Sequence, residues 1–249
     1  MTDRKSLLVQ RVGGYLRNTI REPQVTCSVC TTPATGYARC FRCNADKSYP
    51  TVADVVAPLA YAVSGAQSGT LLRHYKDDMS AEARQRHTAI VKGLLFYGLT
   101  IHERCIAAVV GSPITIRVTV PSLGGRVGVH PFTAMALELN AVTRAVQLVT
   151  SSRATADRVV VPTQFQLDPP VDLTGHHVLV LDDTWTTGSR AQSASMTLRA
   201  AGARAVSIMV VGRWIDPGFS DNAVFIRERL RMDYDPDRCP VTGGACPGR

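Results

Sequence analysis

The sequence predicts an α/β fold in which a mainly parallel sheet, flanked by helices, follows a small cysteine-rich module. Three observations predict it. Residues 114–120 (ITIRVTV), 177–181 and 205–211 are apolar and rich in β-branched side chains, the composition of strands covered on both faces. Helical patterns alternate with these strands over roughly residues 52–231, as in a parallel sheet with crossover helices. Four of the 7 cysteines lie between Cys27 and Cys43, ahead of that region.

In chain order, Leu7, Leu8, Val12, Tyr15, Leu16 and Ile20 recur at helical spacing, so residues 1–22 are expected to form an amphipathic helix weakened by Gly13 and Gly14. Residues 23–50 hold the cysteines and too few apolar side chains for a core of their own. Residues 52–63 (VADVVAPLAYAV) are a strand candidate, and Pro58 assigns it to an edge. Residues 70–98 carry two helical stretches with polar residues 76–80 between them. After the strand at 114–120 come a glycine-rich loop at 121–131 and a helix at 132–147. A short strand is expected at 159–162. The strand at 177–181 leads to a helix at 189–201 ended by Gly202, and residues 205–211 form a further strand. The tail, residues 232–249, is rich in Asp, Pro and Gly and reads as a loosely packed extension.

With 249 residues, 45% hydrophobic and 19% charged, the chain is not fibrous, collagenous or wholly disordered. Its net charge of +8 favours anionic partners without choosing between phosphorylated metabolites and nucleic acid. Apolar runs such as 106–110 and 206–211 fall far short of the roughly 18 residues that span a bilayer, so no membrane insertion is expected. The first twenty residues lack the long apolar region and small-residue cleavage site of a signal peptide, which makes the cytoplasm the expected compartment.

The most informative stretch is VLVLDDTWTTGSRAQ, residues 178–192. An apolar strand delivers Asp182 and Asp183 at its C-terminal edge, where ligands bind in open α/β sheets. Thr184, Thr186, Thr187, Gly188 and Ser189 follow and open a helix, whose N–H groups, hydroxyls and dipole suit a phosphate. Carboxylates beside a phosphate cradle make chemical sense for a sugar phosphate, whose hydroxyls need acceptors while its phosphate needs donors. An acidic pair at a strand end also occurs in magnesium-binding receiver domains, but there it sits on the first strand.

Cys27, Cys30, Cys40 and Cys43 form C-x2-C-x9-C-x2-C, two chelating pairs that together satisfy tetrahedral zinc in a closed, structural shell. Such a zinc module is expected to melt on chelation without unfolding the α/β domain. Cys105, Cys239 and Cys246 are left over: Cys105 reads as a core residue, and the other two could pair or stay free.

Four apolar residues, two acids and T-x-T-T-G-S resemble the phosphoribosyl pyrophosphate (PRPP) signature of type I phosphoribosyltransferases. The zinc module ahead of it, together with Leu72 and Lys76 matching an L-x-x-x-K element, resembles the ComF-type competence family. The resemblance implies a type I phosphoribosyltransferase-like sheet at 51–231. It also implies that Asp182 and Asp183 hold the ribose hydroxyls and that Thr184, Thr186, Thr187, Gly188 and Ser189 hold the 5-phosphate. The pyrophosphate loop would use Ser122, Gly124, Gly125 and Arg126, with Mg2+ bound alongside PRPP. In the ComF pattern that loop continues R-G-F-N-Q, whereas this chain has GVHPF at 128–132. A mobile hood is implied over residues 151–174, with Arg153, Arg158 and Gln164 but no identifiable base.

The expected activity is transfer of a 5-phosphoribosyl group to an unidentified acceptor, releasing pyrophosphate. The alternative is a PRPP-sensing or DNA-associated accessory protein without turnover. Homo-oligomers are left open.

Overall fold

The computed structural model describes residues 4–77, 80–123 and 128–247. Helix α1 (Arg4–Val12) stops at Gly13 and Gly14, short of the helix expected through residue 22. A short helix, α2 (Phe41–Asp46), lies in the cysteine module. Strand β1 (Val55–Val63) is followed by α3 (Gln67–His74) and α4 (Ala81–Tyr97). That last helix runs without a break through a π-turn at Gly98–His102 into α5 (Glu103–Val110). Next come β2 (Ile116–Thr119), α6 (Pro131–Glu138) and a hairpin of β3 (Leu148–Thr150) with β4 (Phe165–Leu167). The chain then forms β5 (His177–Trp185), α7 (Ser189–Ala200), β6 (Ala205–Ile215) and α8 (Asn222–Arg229).

Four strands form one parallel sheet in the order β1-β6-β5-β2. Pro58 sits in β1 at the edge, where its missing N–H is tolerated; the outer side is partly covered by residues 17–19, through an Asn18–Ala60 bridge and a Tyr61 N–H to Arg17 carbonyl bond of 2.8 Å. Alternation along the strands sends Leu179, Leu181, Met209 and Val211 to one face, where α1, α3, α4, α5 and α6 supply Leu8, Leu72, Val91, Leu94, Ile106 and Phe132. Val178, Val180, Val206 and Ile208 face the other side, against Ala191, Ala194 and Leu198 of α7.

Four features differ from the sequence expectations. The helix at 132–147 ends early, because Asn140 takes a left-handed conformation (φ 52°) that stops helical propagation. Residues 159–162 are not a strand; the flanking segments β3 and β4 pair antiparallel instead. The continuous helix at 81–110 is, by length and composition, apolar enough to cross a bilayer, although the short apolar runs hid it; Val91, Leu94, Leu95 and Ile106 bury part of it against the sheet side. Finally, the tail is packed: Tyr234 and Cys239 are buried, and the Asn18 side chain bonds both the N–H and the carbonyl of Asp235 at 2.8 Å.

The cysteine module joins the second core rather than standing apart, since Cys27, Cys30, Ala34 and Cys43 cluster with Val56 and Trp185. Tyr61 of β1 donates its hydroxyl to the Thr31 carbonyl at 2.7 Å.

Candidate functional site

Strand β5 stays paired with β6 to its last residue, Trp185 opposite Arg213, so the acidic pair is delivered on rigid backbone. Side chains alternate, and Asp183 points to the helical face, where it is buried. Two residues that follow α3 meet it there: the Tyr75 hydroxyl donates to Asp183 Oδ2 at 2.5 Å, and Lys76 Nζ lies 2.5 Å from the same oxygen. Asp182 is half-buried and accepts the Asp183 N–H at 2.9 Å. Burial, and then the neighbouring Asp183 carboxylate, push Asp182 up to about 8. The pair therefore holds one well-compensated carboxylate and one carboxyl with a strong hold on its proton.

The turn after β5 is shaped by Gly188, the N-cap of α7, at φ 83°. A Cβ there would lie 2.0 Å from Trp185 Cζ2, so the buried indole and a side chain at 188 cannot coexist. Thr187 Oγ1 and Ser189 Oγ are 3.1 Å apart, both at the positive end of a twelve-residue helix. Behind the turn, the buried Arg213 donates from Nη1 to the carbonyls of Trp185 (3.0 Å) and Thr186 (3.1 Å). Two acceptors that would repel an anion are thus tied down on the far side.

These residues face a cavity of about 150 Å³ that gathers Asp182, Asp183 and residues 184–189 with Lys76, Ser122, His130, Arg158 and Arg190. Ser122 lines this cavity; Gly124, Gly125 and Arg126 lie outside the described residues. His130 was not singled out from the sequence. It caps α6, accepting the Phe132 N–H at 3.3 Å, and a His-Pro pair opening a helix was the available signal. In the expected hood segment, Arg158 reaches the cavity, whereas Gln164 is buried and cross-links Thr155 through both its amide groups. A larger groove of about 1190 Å³ shares Trp185, Thr186 and Thr187 with the turn and runs between the cysteine module and residues 213–222.

The Sγ atoms of Cys27, Cys30, Cys40 and Cys43 all lie within 4.8 Å of one another and could hold a metal ion. A tight turn closes the first pair, with Thr31 N–H on the Cys27 carbonyl at 3.0 Å and Thr31 at φ 61°. The Cys30–Cys40 sulfur separation is 3.8 Å, the edge of a tetrahedron with metal–sulfur bonds of about 2.3 Å.

No family model and no curated protein matches the chain. Among solved structures it is similar to a purine phosphoribosyltransferase from Pyrococcus horikoshii Ot3, at 14% identity over 53% of this chain and 88% of that one, with a TM-score of 0.30.

Proposed function

We propose that the chain binds PRPP in the cavity at the end of β5 and is a phosphoribosyltransferase-like protein, releasing pyrophosphate as it transfers the 5-phosphoribosyl group to an acceptor. One observation carries this reading: an acidic pair and a hydroxyl-bearing turn at the start of a helix share one small cavity with the cations Lys76, Arg158 and Arg190. A sugar phosphate bearing a second anionic group needs that mixture of acceptors and donors.

On this reading Asp182 and Asp183 take the ribose 2- and 3-hydroxyls. The N–H groups and hydroxyls of residues 184, 186, 187 and 189, with Gly188 giving close backbone approach, take the 5-phosphate. Ser122, Gly124, Gly125 and Arg126 belong to the pyrophosphate loop. In the transfer the C1–oxygen bond to pyrophosphate breaks, the electron pair leaves with pyrophosphate, and a bond from the acceptor nucleophile to C1 forms. Mg2+ arriving with PRPP would neutralise charge on the leaving group. The protein contributes positioning and electrostatic stabilisation. The thiols of Cys27, Cys30, Cys40 and Cys43 are the donor set of structural zinc, and their order ahead of the cradle supports a ComF-type reading.

Calorimetric titration with PRPP and magnesium tests the proposal: saturable binding is expected, and absence of both heat and thermal stabilisation at millimolar ligand overturns it. A second reading, a PRPP sensor or DNA-associated protein without turnover, is favoured by Asp183 already being engaged by Tyr75 and Lys76. PRPP binding with no pyrophosphate released on any nucleobase or amide acceptor, together with salt-dependent DNA affinity, would select it.

A further inference from the structure

Cys105, Cys239 and Cys246 are not scattered thiols. Their sulfur atoms and a ring nitrogen of His102 all lie within 4.8 Å of one another. His102 and Cys105 are three residues apart on one helix face, while Cys239 and Cys246 come from the tail, with Cys246 144 residues from His102 in sequence. His102, Cys105 and Cys239 are buried and Cys246 is half-buried.

The histidine is oriented as a ligand. Its Nε2 lies 2.8 Å from the Pro236 carbonyl, which can only accept, so Nε2 carries the proton and Nδ1 presents a lone pair to the cluster. From Nδ1 the Cys246 and Cys105 sulfurs are 3.5 and 3.9 Å away. Tetrahedral zinc with nitrogen at about 2.05 Å and sulfur at about 2.3 Å sets a nitrogen–sulfur edge of about 3.6 Å. The π-turn that ends at His102 is pressed onto the sheet at Gly98, where a Cβ would lie 2.6 Å from Leu59 Cδ1. On the tail, Cys239 closes a turn of its own, accepting the Gly243 N–H at 2.8 Å. Arg21 stands between the two cysteine clusters, donating to the Ser28 carbonyl beside Cys27 at 2.8 Å and to the Pro240 carbonyl beside Cys239 at 2.6 Å. Its positive charge offsets thiolates on both sides.

We infer that His102, Cys105, Cys239 and Cys246 form a second, structural zinc site that clamps the C-terminal segment onto the α4–α5 helix. The shell is closed by four protein ligands, leaving no position for substrate. The inference does not rest on the PRPP reading.

Elemental analysis of the full chain, purified without a metal-affinity tag under reducing conditions, tests it. Two zinc per chain are expected, one for each cluster. Cys246→Ser should retain one zinc and open the tail to trypsin at Arg231 and Arg238, and Cys27→Ser should also retain one. X-ray absorption of the wild type decides the matter even if a variant fails to fold, because two sites give seven sulfurs and one nitrogen over two zinc ions. A single zinc that survives Cys246→Ser, an all-sulfur shell, iron in place of zinc, or a Cys239–Cys246 disulfide in the native protein would each overturn the assignment.

Discussion

Lys76 Nζ and Asp183 Oδ2 are 2.5 Å apart in the wall of the candidate site. The lysine emerges from the turn after α3 and the aspartate from the end of β5, so the ion pair fixes one wall of the cavity to the other. Replacing Lys76 by Met leaves a buried carboxylate with the Tyr75 hydroxyl and should cost about 1–3 kcal/mol, moderated by the partial exposure of the lysine. Urea unfolding measures that loss, and calorimetry should show PRPP binding weakened with it.

Asp182 gives a pH signature. Its folded value of about 8 lies above the roughly 3.9 of an unfolded aspartate, so the folded chain holds a proton that the unfolded chain releases. Its contribution to stability is full below about pH 4 and falls as pH rises towards about 8. Asp182→Asn should remove that slope, readable as a flatter dependence of the urea midpoint on pH between those limits.

Gly188→Ala meets both a positive φ and the Trp185 ring. A loss of about 2–4 kcal/mol is expected, with the phosphate turn displaced and PRPP binding abolished. Adding Trp185→Leu removes the clash but not the backbone strain, so the double variant should regain part of the thermal stability and not all of it.

Chelation should act on the whole molecule. Because Cys27, Cys30 and Cys43 share a core with Val56 and Trp185, stripping metal should lower the melting temperature of the sheet, not merely release residues 23–50. Calorimetry with and without chelator would show a shifted main transition; an unchanged main transition would support the separable module that the sequence suggests.

The β5–turn–α7 unit was legible because its signals are local: an apolar run, two acids, hydroxyls and a glycine within fifteen residues. Lys76 was within reach only through its L-x-x-x-K spacing, since its partner Asp183 is 107 residues on by direct subtraction of their numbers. The three-residue strands β3 and β4 are too short to carry a period of two, and the pairing that defines them is not local. Gly98 looks like a helix end, yet it is the place where a continuing helix must press against Leu59. The histidine and cysteines of the second cluster were unreadable as a set, because H-x2-C and C-x6-C are each unremarkable until the tail folds back.

That return of the tail bears on how the molecule is made. Asn18 and Asp235 pair across 217 residues of chain, and Lys5 and Asp237 form an ion pair close by. A ribosome releases the N-terminal partners long before the C-terminal ones exist. Until residues 234–246 have emerged, the His102 end of the long helix, Lys5 and Asn18 lack the partners that this segment supplies. Docking of residues 234–246 can therefore begin only after the sheet and helices they pack on have been made, and a nascent chain stalled before residue 234 would leave exposed the apolar surface that Tyr234 covers.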